Sequence, residues 1–461
     1  MTVAVIGGGF SGAMTAAHLA ARGVGVVVVE PGSLGRGVAY AESPTPLDDL
    51  ARLHSQVSLI KTVPDQAWVL NVPAGNMSAL PSDRDHFKTW LAARNVDQVF
   101  APRALYGRYL ADAISDVAGK PLEVTATRAT SVTRTRAGFR VACADGTQIS
   151  AQAIVLALGN AAPRTPDVVE PSAHYLRDPY RAPSSITDLD APVALLGTGL
   201  TALDVVVGLR QRGHRGEILA VSRRGLVPHA FDPATQDPVE VPRTIVRSPR
   251  LATLLAWWRS RRWYGITDAA VIAALRPQLP TLWRRLPDLD RRCFVRHLRA
   301  RWDVLRHRAP PPVASLVEQA RAAGSLTFAT GSLVATARVH DLLRCTFLTP
   351  KKTMLTRDVR YLVNCTGPER DITRSKTSLV ESLLAGGVIE RDPLGLGVCT
   401  DGSGRLIGRE GYVPRAYTVG PWRIAEQWES TAIPELREQA ASTAGAIADD
   451  LAAWVRSHRL A

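Results

Sequence analysis

Apolar and polar positions follow three rhythms along the chain. Residues 2–6, "TVAVI", form a short continuous apolar run of the buried-strand kind. Residues 11–22 have helix-forming composition, and residues 24–29, "VGVVVV", predict a second buried strand ending at Glu30. Strand, helix and strand at this spacing read as a βαβ unit. Residues 83–95 predict a helix with Phe87, Trp90 and Leu91 on one face. From 121 to 158 the rhythm changes to β-rich segments broken by Ala137-Gly138 and Asp145-Gly146, closing on an apolar strand and Gly159. A Pro-rich loop over 160–191 leads to a new apolar run, "PVALLG". Residues 326–367 repeat the β-rich passage and again close on a strand and a glycine, Gly367. Between the halves, about 245–325 reads as mainly helical and rich in Trp and Arg. The pattern is a domain-scale duplication.

Each half opens on a glycine turn. Gly7, Gly9 and Gly12 satisfy G-x-G-x-x-G directly after the first strand. The first glycine permits the tight turn, the second admits a pyrophosphate to the backbone, and the third lets helix and sheet pack closely. Phe10 and Ser11 then open a helix whose free N–H groups attract phosphate. Glu30 and Pro31 end the next strand. The Glu30 carboxylate would accept from both ribose hydroxyls and repel a 2′-phosphate, which suits FAD or NAD. The second turn, "GTGLTALDVV", places Gly197 and Gly199 before Leu200, Thr201 and Ala202. Its following strand ends not in an acid but in "SRRG", with Arg223 and Arg224. A planar, permanently charged fork suits a phosphate. The two turns therefore have opposite electrostatics at the ribose: the first is expected to hold FAD and the second NADPH, donor and acceptor of one electron path. The expected fold class is α/β, with two Rossmann-like dinucleotide-binding domains and a helical insertion.

Composition narrows this picture without redirecting it. The chain has 461 residues, 46% hydrophobic and 21% charged, ordinary for a globular protein able to form a core. Five scattered cysteines form no CxxC, which argues against a disulfide framework, a zinc knuckle or a dithiol reductase. The net charge is +14, nearly all from arginine. It favours anionic cofactors or substrates, while no aromatic-basic module points to nucleic acid. No signal-peptide pattern precedes the first strand and the apolar runs are too short to span a bilayer. The expectation is a cytoplasmic protein without a membrane or nucleic-acid partner. No histidine pair or carboxylate cluster reads as a metal site.

Beyond the turns, the stretches "VAVIGGGFSG", "GRGVAY", "LNVPAGNMSALP", "DHFKTWL", "SRRGLVPHAF", "WDVLRHRAPP" and "GPWRIAEQWESTAIPELR" occur in order through nearly the whole chain. With them the chain resembles the two-dinucleotide-binding flavoproteins, and more narrowly the YdhS-like FAD/NAD(P)-binding family. Its relatives include flavin-dependent amino-acid N-monooxygenases. The resemblance implies an FAD-binding domain over 1–190 and 341–461, split by an NADP-binding domain over 191–340 that carries the insertion. It implies that Arg36 and Gly37 lie near the FAD diphosphate. Asn71, Val72, Pro73 and Met77 would line the flavin ring, and Leu158 and Gly159 would mark where the chain crosses the FAD domain. "CTG" at 365–367 matches an A-T-G strand end, with Cys365 in place of alanine. Trp428, Glu429, Ser430 and Thr431 precede a helix whose positive end would face the flavin N1–C2 carbonyl. "GPWR" stands where many flavoproteins have Gly-Asp, so the acid that usually meets the ribityl chain is absent.

The activity implied is that of a single-component monooxygenase. NADPH reduces the flavin, oxygen forms a C4a-hydroperoxide, and a small amino acid or amine attacks it. That chemistry belongs to the cofactor and needs no nucleophilic side chain, in line with the absence of a Ser-His-Asp or Cys-His signature. Arg306 and Arg308, flanking His307, are candidate clamps for a substrate carboxylate; anchoring of a helix end is the competing role. His229 is a candidate near the nicotinamide. The alternative activities are an NAD(P)H:acceptor flavin reductase and a non-enzymatic flavin-binding interaction protein.

Overall fold

The apolar run at the start of the chain is β1 (Thr2–Ile6), and its four residues from Val3 to Ile6 are all buried. Both faces are covered, which is why it reads as continuous rather than alternating. Val3 and Val5 pack with Ala16, Leu19, Ala444, Ile447 and Leu451 on one face. Ala4 and Ile6 pack with Val132, Phe139 and Val141 on the other. The computed structural model describes residues 1–37, 40, 68–232 and 239–459.

The chain divides into two units. In the first, β1 is joined by α1 (Phe10–Ala21) to β2 (Gly25–Val29), parallel and in register from Thr2 opposite Gly25 to Ile6 opposite Val29. The sheet extends through β3 (Glu123–Thr125) on one side. On the other it passes through β7 (Ala153–Leu156), β17 (Gly411–Thr418) and β16 (Arg405–Gly408). A three-stranded antiparallel sheet, β4 (Ala129–Arg134), β5 (Phe139–Cys143) and β6 (Gln148–Ala151), forms the segment expected to be β-rich. Two helices flank this unit: α2 (Arg103–Ala118) and the long C-terminal α7 (Ile433–Arg459). The expected helix near 83–95 is present as His86–Ala92, with Phe87, Trp90 and Leu91 buried.

The second unit repeats the scheme. β9 (Val193–Leu196), α3 (Leu200–Gln211) and β10 (Ile218–Ser222) form its βαβ start. The sheet order is β11 (Leu326–Thr330), β10, β9, β15 (Tyr361–Asn364) and β8 (Tyr175–Leu176), all parallel. An antiparallel sheet of β12 (Ser332–Val339), β13 (Leu342–Leu348) and β14 (Met354–Val359) packs on it through Leu343, Cys345 and Phe347. Strands β7, β1, β2 and β3 thus correspond to β15, β9, β10 and β11, so the duplication read from the sequence is structural. The insertion is helical as expected, and includes α4 (Leu251–Trp263), α5 (Asp268–Leu275) and α6 (Arg299–Arg306). Trp257, Trp283 and Trp302 are buried within it, and Phe294 bridges the last two with ring centroids at 5.9 and 6.2 Å.

The unit boundaries differ from the expected 1–190, 191–340 and 341–461. Among the described residues the second unit takes 68–71 and all of 162–368, and the first takes 72–161 and everything from 369. Backbone pairing explains the shift. The Pro-rich loop contributes β8 to the edge beside β15. Thr336 Oγ1 accepts from Glu170 N at 2.9 Å and donates to Val168 O at 3.0 Å, tying that loop to β12. The residues after 340 complete a hairpin that begins before it.

Candidate functional site

The first glycine turn has the geometry of a phosphate cradle. Gly7 has φ +100, and a Cβ there would lie 2.2 Å from Ala157 O. Only glycine lets the turn close this tightly on the end of β7. A Cβ on Gly12 would meet Gly7 O at 1.9 Å, so this position sets how closely helix and turn pack. Gly9 is different. A methyl there would find nothing nearer than Gly37 Cα at 3.9 Å, so its glycine is explained by space left open rather than by packing. It starts α1, whose N-terminus has no side-chain cap and no acid in its first turn. Unpaired N–H groups at a helix N-terminus beside a bare backbone are what a diphosphate needs. The loop carrying Arg36 and Gly37 is held over this turn by Gly35 N donating to Gly8 O at 2.7 Å.

Glu30 is fixed in place by the backbone. Its Oε2 accepts from Gly8 N at 2.7 Å and its Oε1 from Gly32 N at 2.9 Å. Each oxygen keeps a lone pair for a ribose hydroxyl. Pro31 follows it on the exposed side of the loop.

The C-terminal segment returns to the same turn. Thr418 Oγ1 donates to Leu156 O at 2.8 Å, and Gly420, at φ +90, lies against Ser11 Oγ. Gly420 N donates to Gln439 Oε1 on α7 at 3.0 Å. Arg423, standing near the usual acid position, is fully buried and serves the fold. It donates to Gly402 O at 2.9 Å and Thr443 Oγ1 at 3.3 Å, and pairs with Glu426 at 3.1 Å. Trp428, Glu429 and Ser430 are all buried, and Glu429 takes the left-handed region at φ +76. Ser430 Oγ is buried with no hydrogen-bond partner among the described residues. A hydroxyl in that state calls for a polar ligand atom. Thr431 N donates to Glu429 O, closing the turn before α7.

The open cradle at Gly9, the braced Glu30 and the unsatisfied Ser430 hydroxyl fit a dinucleotide such as FAD. Of the residues expected around the ring, Val72 and Met77 fall in the first unit and Asn71 at the last position of the 68–71 segment of the second. Met77 is buried, and Leu158 and Gly159 follow β7, with Gly159 at φ +65. Val38 and Ala39 of "GRGVAY" lie outside the described residues.

The second turn copies the first. Gly197 has φ +124, and a Cβ there would meet Cys365 O at 2.4 Å, as Gly7 meets Ala157 O. A methyl on Gly199 would touch nothing within 4 Å. Leu200 and Thr201 begin α3, also uncapped by any side chain. Thr198 Oγ1 bonds Ser222 Oγ at 2.8 Å and donates to Leu226 O at 2.5 Å, which pins the turn to the loop after β10. On that loop Arg223 and Arg224 are exposed, and Arg224 donates to Arg296 O at 2.9 Å. The loop runs on to His229, whose N donates to Val304 O at 3.2 Å and whose O accepts from Ala309 N at 2.8 Å. His229 is thereby brought beside the Arg306–Arg308 segment. Within that segment Arg308 Nε donates to Leu305 O at 3.2 Å and His307 N to Asp303 O at 2.8 Å, so both serve the end of α6. These bonds hold the helix end.

One supporting residue went unread in the sequence. Asn364, fully buried, donates to Arg164 O and Tyr175 Oη at 2.9 and 2.8 Å and accepts from Thr366 N and Oγ1. It fixes the strand end that leads into Gly367, at φ +84. Burial pushes the Cys345 thiol up to about 12 and raises that of Cys365 still further, with Asp204 adding to it, so the residue in the alanine position is an inert small side chain.

Residues 2–44 match the family described as FAD dependent oxidoreductase, and residues 61–161 the family described as FAD-NAD(P)-binding. No curated protein matches the chain. Among solved structures, L-lysine 6-monooxygenase from Pseudomonas syringae is 16% identical with a TM-score of 0.63, covering 97% of this chain and 99% of that one. Ornithine N-hydroxylase from Kutzneria sp. 744, described with reduced FAD, NADP+ and L-ornithine, is 15% identical with a TM-score of 0.60 over 97% and 98%. Thioredoxin reductase from Lactococcus lactis is 10% identical with a TM-score of 0.53 over 98% and 99%. The fold is that of the two-dinucleotide-domain flavoproteins. Within that class the chain is similar in fold to the amino-acid N-hydroxylating monooxygenases.

Proposed function

We propose that the protein is an FAD-dependent, NADPH-using oxidoreductase that N-oxygenates a small amino acid or amine. The observation that carries this reading is the pair of glycine turns, alike in backbone and opposite in charge at the ribose. Phosphates would sit on the α1 N-terminus at Gly9, with Glu30 on the adenosine ribose and Ser430 offering its hydroxyl to the flavin. Gly199, Thr201, Arg223 and Arg224 would hold NADPH, the arginines taking its 2′-phosphate. Bound FAD, once reduced by NADPH, supplies oxygen activation. The chain's task is to orient the cofactors, exclude water and keep the substrate amine neutral; a dry site lowers an amine's pKa and so favours the attacking form. The likeness to lysine and ornithine hydroxylases supports amine chemistry. The likeness to a thioredoxin reductase supports the competing acceptor-reductase reading, which here would need an acceptor other than a CxxC pair.

Anaerobic NADPH should bleach the yellow holoprotein. In air, with lysine, ornithine, aspartate or cadaverine supplied in turn, one amine should yield a hydroxylamine in step with NADPH consumed. Rapid NADPH oxidation with an artificial acceptor and no hydroxylated product from any amine would establish the reductase instead. Replacing Arg223 and Arg224 with Ala should raise the NADPH KM roughly tenfold or more, as loss of charge-assisted bonds does, and leave the NADH KM nearly unchanged. Equal effects on the two would remove the phosphate-clamp assignment.

A further inference from the structure

The helical insertion holds most of the molecule's net positive charge. Between residues 245 and 325 there are 16 arginines, no lysine and 5 carboxylates, so this segment carries 11 of the chain's 14 net positive charges. It also carries the three most exposed large hydrophobic side chains among the described residues: Trp263 at 87%, Leu289 at 74% and Tyr264 at 72%. Three other tryptophans of the same insertion are buried in its core, so the exposure of Trp263 is not a shortage of interior.

Trp263 and Tyr264 are held out by a well-formed turn. Gly265, at φ +78, donates to Arg262 O at 3.0 Å, and Ile266 N donates to Arg261 O at 3.1 Å. These two bonds close the end of α4 as a Schellman motif. Thr267 Oγ1 then accepts from Ala270 N to cap α5, and Asp268 accepts from Trp258 Nε1 at 2.7 Å and faces Arg262 at 3.5 Å. Arg259, one helical turn before Trp263, and Arg261 and Arg262 directly before it share the end of α4, and the Arg261 guanidinium lies 5.5 Å from the Tyr264 ring centroid.

We infer that the α4–α5 turn is a peripheral docking site for an anionic lipid bilayer, with Trp263 and Tyr264 entering the headgroup region and these arginines meeting lipid phosphates. Trp and Tyr are the side chains that settle at a membrane–water interface, one end apolar and one end wet. Arginine stems lie along apolar surface while the charged head stays in the polar layer. Positive charge spread over a whole insertion matches a laterally continuous anionic surface. A single-stranded nucleic acid asks instead for a groove with rings spaced for successive bases, and two neighbouring rings this exposed on a helix–helix turn do not form one. No helix among the described residues is long and apolar enough to cross a membrane, and surface docking needs none. The inference departs from the sequence-based expectation of no membrane partner and is independent of the redox chemistry.

The test is co-sedimentation of holoprotein with phosphatidylcholine vesicles, with and without phosphatidylglycerol. Binding should require phosphatidylglycerol and be lost at about 0.5 M NaCl, where screening shortens to a few ångströms. The double variant Trp263→Ser, Tyr264→Ser should bind at least about tenfold more weakly, with flavin content and NADPH oxidation unchanged, since it removes interfacial contact and no cofactor contact. Arg259→Glu should weaken binding roughly fivefold while leaving both rings in place. Vesicles with brominated acyl chains should quench emission from the wild type and not from Trp263→Phe. Failure of the wild type to bind phosphatidylglycerol vesicles at low salt would overturn the inference. So would equal binding by the double variant, or preferential binding to a single-stranded oligonucleotide in competition with vesicles.

Discussion

At the scale of single residues, the same amino acid does two separable jobs in the glycine turns. Gly12 is required by the protein, since its Cβ would collide with Gly7 O at 1.9 Å. Gly9 and Gly199 are required only by what would approach them, since a methyl at either meets nothing closer than 3.9 Å within the protein. Gly9→Ala should therefore leave the melting of the flavin-free protein nearly unchanged and abolish retention of FAD through purification. Gly199→Ala should spare FAD and raise the NADPH KM, while Gly12→Ala should fail to fold stably. A Gly9→Ala protein that still purified yellow would show that the diphosphate does not lie on this turn. Other residues resisted reading because their reason lies elsewhere in the chain. For Arg423, the sequence "GPWR" shows only that the usual acid is absent. The arginine is buried because Gly402 O, Thr443 and Glu426 converge on it from residues distant or adjacent that no local pattern associates. Asn364 is a strand-end polar residue whose partners lie some two hundred positions earlier.

At the scale of elements, continuous apolar strands and glycine-started helices were legible because each signals itself within a few residues. Helix α2 was not. Its "RALYGRYL" opening contains Gly107, which interrupts helical preference, and the cause is distant: a Cβ there would lie 2.3 Å from Tyr40 O. The edge strand β8 is two residues long inside a Pro-rich loop, and only pairing with β15 makes it a strand. Short connecting turns are also where stability concentrates in identifiable pairs. Asp371 caps the turn Ile372–Arg374 through Thr373 N and holds Arg391 with two bonds of 2.9 Å. The Arg391 guanidinium, aided by Thr373, keeps its carboxyl at about 2, below its ordinary 3.8. A depressed folded-state pKa gives stability that is complete above about pH 4 and lost as pH falls through about 2. Asp371→Asn should cost roughly 2 kcal/mol at neutral pH, and the gap between variant and wild type should close as the acid limit is approached. A gap constant with pH in denaturant titrations would show that the pair contributes through packing rather than charge.

At the scale of the whole molecule, the duplication was visible in the sequence as an order of events, while the unit boundaries were not. Boundaries follow which strand pairs with which, and β15 lies between β9 and β8 although their sequences are far apart. The consequence is two units, each with its own glycine turn and its own core, and each expected to answer to a different nucleotide. A ligand that binds only the folded form suppresses opening of the structure it touches, by about 2.7 kcal/mol when present at a hundred times its Kd. Hydrogen exchange reads this segment by segment. FAD should slow exchange at residues 7–12 and in the turn that precedes α7. NADP+ added to the holoprotein should slow exchange at 197–203 and in the loop carrying Arg223 and Arg224, with little change at residues 7–12. Protection by NADP+ confined to the first turn would mean that both nucleotides compete for one cradle. The second turn would then be a structural echo of the first, and hydride transfer between two bound dinucleotides could not be the chemistry of this fold.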